Sequence, residues 1–428
     1  MAAADPSMKQ LLDDLVRQEA ERARDATDFL SDARVSEALA QLADRLNAEQ
    51  DVVLAANARD LAAATGRFDI GTLDRLRLDR GRIEEAARQV AAVAALPPLE
   101  RTVAAWTLEN GLRVSEHRIP IGVIGANFEA RPAVALDIAS QVLKSLNATV
   151  LRTGSAALDT VTTLVECVIR PALEAAGIPV GAVGLVADTG HSGAYSLVTQ
   201  PDLIPVVILR GSGQTTTALT RLAAAHGVHA IAHAEGGGVL YIDRGADPET
   251  AAALVRASLD RLGVCNRLNL LLIHEDVAET LSELVQVVDQ LEIAVRGTDR
   301  AQAFASMPPL AHRLGHEWAD DPEYVASISV EIVSSLEEAC MLANRETSGL
   351  AAGIVTDDAA AAEMFFSRYR GTAVFWHAPT RFTDGFALLG VPETGIKIGA
   401  APGPRGPVTY RDLWLRQLRV IGDGTQTR

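Results

Sequence analysis

The first hundred residues place apolar side chains at helical spacing. Leucines and valines recur three and four residues apart, as in Val35, Leu39 and Leu42, and this spacing collects side chains on one face of a helix. Pro97 and Pro98 end the pattern, because consecutive prolines cannot continue a helix. The sequence therefore predicts a helical region at the start of the chain.

From residue 121 onwards, short apolar runs alternate with helical patterns. Strands are predicted at 121–125, 148–152, 181–187, 205–209, 228–232 and 238–242, and helices at 133–145, 156–176 and 214–226. Because parallel strands need a long crossover connection, alternation at this spacing predicts a doubly wound parallel sheet.

A second alternation of the same kind follows. Helices are predicted at 248–261 and 276–290, and strands at 268–273, 292–296, 327–333 and 351–355. This pattern indicates a second α/β domain. The stretch from 386 to 409 is rich in Gly and Pro, which predicts a loop or an extended arm.

Composition and charge exclude several classes of protein. The chain has 428 residues, 48% of them hydrophobic, and a formal net charge of −16. Such an acidic surface repels nucleic acid and anionic membranes, so we expect neither as a partner. The three cysteines and nine histidines show no disulfide framework and no metal-ligand spacing. No apolar run suits a signal peptide or a membrane span, and we expect a soluble cytoplasmic protein.

Two residues stand out as candidates for catalysis. Cys265 lies in a glycine-containing turn between a predicted helix and a predicted strand. A thiol in such a turn can face a cleft and act as a nucleophile, and the alternative is a buried structural cysteine. Glu235 precedes three glycines, which either allow a ligand to approach the backbone or form a flexible turn.

Two predicted strand ends are candidate phosphate sites. Gly211 and Ser212 begin the turn after strand 205–209, where exposed backbone N–H groups can bind phosphate. An ordinary turn between a strand and a helix is the alternative. Arg152 ends another predicted strand, where it either meets a phosphate or ribose or is a surface arginine.

Several segments together resemble the gamma-glutamyl phosphate reductases, a family within the aldehyde dehydrogenase superfamily. The likeness runs nearly end to end and is most specific where Val264–Asn266 combines with Thr380–Gly385. The other matching segments are Ala56–Leu61, Leu73–Leu78, Asn110–Leu112, Ile119–Gly125, Glu129–Pro132, Leu143–Asn147 and Arg405–Pro407.

The resemblance implies an aldehyde-dehydrogenase-like α/β fold with a Rossmann-like cofactor domain, a second α/β catalytic domain and a small oligomerisation arm. The implied boundaries are a helical region at 1–110, the cofactor-binding domain at 111–240, the catalytic domain carrying Cys265 at 241–365, a return to the cofactor domain at 366–385, and the arm with the C-terminal segment at 386–428. It further implies a homodimer or homotetramer.

The resemblance also implies a reaction. The thiolate of Cys265 would attack gamma-glutamyl phosphate, or a related amino-acyl phosphate made by an upstream kinase, and NADPH would reduce the resulting thioester to the semialdehyde. The implied cofactor positions are Arg152, Gly154 and Ser155 at the adenosine ribose, Gly211 and Ser212 at the pyrophosphate, and Glu323 at the nicotinamide ribose. The small Ser155 leaves room for a 2′-phosphate, which favours NADP over NAD.

Other positions depart from the family and support an alternative function. Histidine and aspartate are usual where Leu350 and Ala352 stand. Asn127 resembles the oxyanion-hole asparagine of ordinary aldehyde dehydrogenases, and Glu235 resembles their general base. The alternative is therefore a hydrolytic NAD(P)-dependent aldehyde dehydrogenase, which would take an aldehyde as its substrate.

Three further residues are candidates for binding the substrate. Arg131 and Arg381 could bind a carboxylate or phosphate, and Asn266 follows the candidate nucleophile directly. Each arginine could instead form a structural ion pair.

Overall fold

The computed structural model describes residues 6–68, 70–188, 190–211, 213–232, 236–261, 264–316, 326–399 and 403–427. Its helices are α1 (Pro6–Ala26), α2 (Asp32–Ala48), α3 (Gln50–Ala64), α4 (Ile70–Leu76), α5 (Arg80–Ala95), α6 (Val134–Lys144), α7 (Leu158–Thr163), α8 (Arg170–Ala175), α9 (Ser192–Leu197), α10 (Gly213–Ala225), α11 (Pro248–Ala257), α12 (Leu281–Asp289), α13 (Asp299–Gln302), α14 (Leu336–Glu346), α15 (Ala359–Arg368) and α16 (Gly385–Leu389). Its strands are β1 (Thr102–Thr107), β2 (Arg113–Pro120), β3 (Val123–Phe128), β4 (Ala148–Thr153), β5 (Val183–Val186), β6 (Val206–Arg210), β7 (His229–Ala232), β8 (Gly238–Ile242), β9 (Leu268–His274), β10 (Ala294–Gly297), β11 (Ser327–Val333), β12 (Ala351–Val355), β13 (Ala373–Trp376), β14 (Gly395–Lys397), β15 (Gly406–Val408) and β16 (Trp414–Ile421).

The described residues form two compact units. The first contains those of Met1–Ala232, Val391–Gly395 and Val408–Arg428, and the second contains those of His233–Gly390 and Ile396–Pro407. The chain therefore leaves the first unit twice, after Ala232 and after Gly395, and returns to it at Val391 and at Val408.

The first unit contains a five-stranded parallel sheet in the order β5-β4-β3-β6-β7. β3 and β4 are buried along their whole length, as is typical of strands that helices cover on both faces. From β3 the chain builds β4 and β5 on one side and later adds β6 and β7 on the other. Doubly wound sheets bind ligands at such a reversal, beyond the carboxyl ends of the strands.

Two of the family-like segments hold the helical layer of this unit together. The buried amide of Asn57 donates a hydrogen bond to the carbonyl of Leu76 (2.9 Å) and accepts one from the N–H of Leu78 (2.8 Å). Asp60 accepts a hydrogen bond from the N–H of Thr160 at 2.8 Å, at the start of α7. Since buried polar groups need partners, these contacts fix α3 against its neighbours.

A three-stranded antiparallel sheet in the order β1-β2-β16 completes the first unit. It is largely exposed, including Trp106 (42%), Leu418 (52%) and Ile421 (56%). From the sequence we expected β2 in the cofactor domain and the arm at 386–428. β16, which lies within that arm, pairs with β2, a strand about three hundred residues earlier, and a hydrophobic pattern gives no signal for such a distant antiparallel partner. The arm itself stays a prediction, and β2 belongs to the same sheet as its last strand.

The second unit contains a six-stranded parallel sheet in the order β10-β11-β9-β8-β12-β13. Two expectations are corrected here. β8, expected as the last strand of the first domain, pairs with β9 and β12, and β13, expected in a return to the cofactor domain at 366–385, pairs with β12. An apolar run shows that a strand is buried but does not identify its partner.

No helix in the described ranges combines the length and the apolar character needed to cross a bilayer. Across the same ranges, no group of three or more His, Cys, Asp or Glu side chains is arranged to hold a metal ion.

Candidate active site

The turn that carries Cys265 is tied by its backbone to the start of β8. The carbonyl of Cys265 accepts a hydrogen bond from the N–H of Gly237, and the carbonyl of Arg267 accepts one from the N–H of Gly238, both at 2.6 Å. The thiol-bearing residue itself is only half-buried. Two short backbone hydrogen bonds therefore hold a partly accessible cysteine at the amino ends of β8 and β9.

Glycine is required where β8 meets this turn. A Cβ atom on Gly236 would lie 2.8 Å from the Cα of Cys265, and one on Gly238 would lie 2.5 Å from Oγ1 of Thr380. Gly237 has a φ of +96°, which side chains disfavour. The sequence left open whether these glycines allow a ligand to approach the backbone or form a flexible turn. Within the second unit, Gly236 makes room for the Cys265 turn and Gly238 for the side chain of Thr380.

Asn266 and Arg381, expected at the substrate, join the turn to the segment 380–383. The Asn266 amide donates to the carbonyls of Arg381 (2.8 Å) and Thr383 (3.1 Å), and its oxygen accepts from the Arg381 guanidinium. Arg381 also pairs with Asp260 at 2.6 Å. The ion-pair alternative therefore describes Arg381 here, and both side chains position the cysteine turn.

One side of Cys265 in the second unit is apolar. The residue packs against a small cluster. The members of this cluster are Leu350, Ala351, Phe375, Ile396 and Ile398. Leu350 stands where the family usually has histidine, so on this side Cys265 meets hydrocarbon in place of an imidazole.

In the first unit, Arg152 and Asn127 are neighbours on paired strands. Asn127 on β3 lies opposite Arg152 on β4, and Nη1 of Arg152 donates to Oδ1 of Asn127 at 3.0 Å. A second guanidinium nitrogen donates to the carbonyl of Gly190. Arg152 is only 3% exposed, so it is not a surface arginine. Burial lowers its pKa, which nearby carboxylates partly offset.

The turns after β3, β4 and β6 meet at the reversal of the first sheet. Gly154 donates its N–H to the carbonyl of Phe128 at 3.2 Å, and Ser155 beside it is exposed. A Cβ on Gly211 would lie 2.9 Å from the carboxyl carbon of Glu129. The expected cofactor residues Gly154, Ser155 and Gly211 are thus brought to one edge, as a dinucleotide site requires.

The loop after β3 is strained at this edge. Ala130 has a φ of +48°, a conformation that costs a residue with a side chain roughly 1 kcal/mol or more and that clusters at functional sites. Arg131 follows it and is half-buried. Glu129 begins the family-like segment Glu129–Pro132, but the sequence predicted no role for it. Its position directly after a buried strand could have indicated that it faces the cofactor edge.

Three expected site residues lie outside the described residues. They are the proposed general base Glu235, the pyrophosphate-site Ser212 and the ribose-site Glu323. Their roles stay predictions.

Comparison with known proteins agrees with this geometry. The model described as "Aldehyde dehydrogenase family" matches residues 13–312. The chain is 35% identical over 419 residues to the gamma-glutamyl phosphate reductase of Moorella thermoacetica. The matched residues cover 96% of this chain and 98% of that protein. It is 34% identical over 395 residues to gamma-glutamyl phosphate reductase 2 of Bacillus licheniformis, spanning 91% of each.

Solved structures give the same result. The gamma-glutamyl phosphate reductase of Thermotoga maritima matches with a TM-score of 0.89 at 27% identity, over 97% of this chain and 100% of that one. An acetylating aldehyde dehydrogenase from Geobacillus thermoglucosidasius matches with a TM-score of 0.69 at 17% identity, over 100% of both chains. The second likeness concerns the fold alone.

Proposed function

Because this chain belongs to the aldehyde dehydrogenase family, and within it to the gamma-glutamyl phosphate reductases, we propose that it reduces gamma-glutamyl phosphate to the semialdehyde with NADPH. The observation that supports this most directly is the half-buried Cys265, whose turn two backbone hydrogen bonds hold at the amino ends of β8 and β9. The names of the relatives favour the reductase over the hydrolytic alternative.

The proposed chemistry begins at the Cys265 sulfur. Its thiolate forms a bond to the acyl carbon, and the carbon–oxygen bond to phosphate breaks, so phosphate leaves with the electron pair. A thioester on Cys265 remains, and dividing the reaction in this way lowers each barrier. When bound, NADPH supplies the hydride that reduces this acyl carbon. Re-forming the thiolate then releases the aldehyde.

Asn127 is proposed to stabilise the oxyanion. Its Oδ1 is occupied by Arg152, so the amide is oriented with its NH₂ group directed away from that arginine. Since only the nitrogen of an amide donates hydrogen bonds, this orientation is the one that an oxyanion site needs. Arg152 is therefore proposed as a positioning residue for Asn127 as well as a residue of the cofactor edge.

The first sheet supports a dinucleotide cofactor. Gly211 and Gly154 follow the carboxyl ends of β6 and β4 at the reversal of strand order, where pyrophosphate and ribose bind in such folds. We propose that both glycines and Ser155 hold NADP, the exposed Ser155 leaving room for the 2′-phosphate. Ser212 and Glu323 are proposed for the same cofactor from the resemblance alone.

The central test is an assay in both directions. With kinase-generated gamma-glutamyl phosphate, NADPH oxidation should require Cys265, so Cys265→Ala should abolish it while the control Cys167→Ala should retain it. In reverse, NADP reduction by the semialdehyde should require inorganic phosphate. Turnover that is equally fast without phosphate would contradict the proposal and support hydrolysis.

We also propose partners that the reaction and the fold suggest. A kinase should supply the acyl phosphate, and the protein should act in the cytoplasm, as expected from the sequence.

A second copy of this chain should cover the exposed sheet β1-β2-β16, giving a homodimer or homotetramer, because its apolar side chains favour burial. Light scattering of the full chain tests this assembly.

A further inference from the structure

Lys397 is an unusual buried lysine. The chain has three lysines among 39 basic residues, and Lys397 is only 3% exposed. Its Nζ is buried and has no hydrogen-bond partner among the described residues. It lies on β14 between Ile396 and Ile398, which pack in the cluster beside Cys265. Since side chains alternate along a strand, Lys397 faces the opposite side.

Two other donors lie in the same region of the second unit, and one of them, Arg405, is close enough to act electrostatically on both Lys397 and Tyr369. Arg405 donates from Nε to the carbonyl of Ile398 at 3.0 Å and from a terminal nitrogen to the carbonyl of Arg370, so its guanidinium is fixed. The hydroxyl of Tyr369, a residue 7% exposed, is buried and also has no partner among the described residues.

The glycines of this region allow Tyr369 and Arg405 to approach the same stretch of backbone. A Cβ on Gly371 would overlap the Tyr369 hydroxyl, and one on Gly349 would lie 3.4 Å from Nη2 of Arg405 and 3.5 Å from the Cα of Gly371. Burial lowers the pKa of Lys397 and raises the pKa of Tyr369. The positive charge of Arg405 lowers the pKa of both. The cluster thus presents donors and positive charge.

Lys144 shows how this fold satisfies an ordinary buried lysine. It is 2% exposed, and its Nζ donates to Oγ of Ser36 and to the carbonyl of Ala94, both at 3.1 Å. Buried charges in proteins are generally paired or hydrogen-bonded. Lys397 is equally buried but lacks the acceptors that Lys144 has, which indicates that its acceptor comes from outside the described protein atoms.

We propose that Lys397, Arg405 and Tyr369 bind a small oxyanion, a phosphate or a carboxylate, on the face of β14 opposite Ile396 and Ile398. The ammonium and hydroxyl donate to the anion, and the guanidinium adds charge. The ligand is either free phosphate or the carboxylate of an amino acid. The site does not depend on the proposed reaction of Cys265.

The test measures thermal unfolding of the full chain at constant ionic strength, with inorganic phosphate or L-glutamate as the probe. A ligand that binds the native state raises the unfolding midpoint with concentration. Lys397→Met should weaken the binding of the effective probe by about tenfold or more, as expected for a lost charged hydrogen bond. It should also raise the midpoint without any anion, because an unpaired buried charge is removed.

Two controls separate the possible outcomes. Lys144→Met should unfold at a lower temperature but keep the response to the probe, and Tyr369→Phe should weaken binding less than Lys397→Met. Cys265→Ala should keep the full response, so a failure of the proposed reductase reaction is distinguishable from a failure of this site. Equal responses in the wild type and Lys397→Met, or no response to either probe, would overturn the proposal.

Discussion

Arg152 and Asn127 are joined across neighbouring strands by a hydrogen bond of 3.0 Å from the guanidinium to the amide oxygen. The bond lies at the carboxyl edge of the first sheet, where both residues are buried. It fixes which end of the amide remains available to donate. Arg152, which is expected at the cofactor, therefore also sets the orientation of the Asn127 amide, which is expected at the oxyanion.

We predict that Asn127→Ala lowers kcat by about a hundredfold, as the loss of one oxyanion-hole donor typically does. Arg152→Met should lower kcat in the same direction by a smaller factor, because the amide is still present but no longer held. Steady-state kinetics with NADPH varied separates the two roles of Arg152. A raised KM for NADPH with unchanged kcat would show a cofactor contact alone and contradict the positioning role.

A second prediction concerns Gly236. In Gly236→Ala the new Cβ would lie 2.8 Å from the Cα of Cys265, which is backbone and cannot rotate away. The turn should shift, and activity should fall by about a hundredfold or more, since small displacements of a reacting group have effects of this size. Rates and circular dichroism of the purified variant check this.

Gly81→Ala provides the matched control for Gly236→Ala. Gly81 lies in the first turn of α5, and a Cβ there would lie 3.4 Å from a side-chain oxygen of Asp79, which is ordinary van der Waals contact. Alanine favours a helix over glycine, so this variant should keep full activity and equal or greater stability. Full activity in Gly236→Ala would contradict the prediction, because it would show that the Cys265 turn can be displaced without loss of catalysis.

Much of the fold was predictable because it depends on local patterns. β4, β6, β9 and β12 lie close to their predicted positions, since fully buried parallel strands form continuous apolar runs. Sheet membership was not predictable for β8 and β13. Their apolar runs would suit either sheet, and pairing is decided by contacts that are distant in sequence.

The site was predictable in its residue types but less so in its contacts. The turn of Cys265 follows from its place between a helix and a strand. The engagement of Asn266 with Arg381 and Thr383 depends on residues about 115 positions later, which no local pattern reveals. Lys397 was missed as a site residue because a lone lysine in an apolar strand shows neither its burial nor its lack of acceptors.

Cysteine labelling gives a third prediction. Burial raises the pKa of Cys340 to about 12, so its thiol stays protonated near pH 8, and only the thiolate reacts with iodoacetamide. Half-buried Cys265 should be labelled first, Cys167 on its packed helical face more slowly, and Cys340 not at all. Peptide mass spectrometry after timed labelling checks the order.

The same pKa shift fixes how Cys340 affects stability. The native state favours the protonated thiol, so the contribution of Cys340 to stability is present below its unfolded pKa of about 8.5 and is lost as the pH rises toward 12. Cys340→Ala should therefore show a smaller alkaline loss of stability than the wild type. Equal labelling of all three cysteines in the folded protein would contradict this description of their environments.

The fourth prediction separates the reductase from the hydrolytic alternative through Glu235. A hydrolytic enzyme needs a base that activates water against the thioester, whereas in the reductase phosphate leaves without water. Glu235→Gln keeps the side-chain size and removes the base. We expect phosphate-dependent turnover within about a few-fold of the wild type, because the proposed reductase reaction has no step in which a base activates water. Loss of turnover with an acyl group trapped on Cys265, detected as a mass increase, would instead assign hydrolysis to this chain.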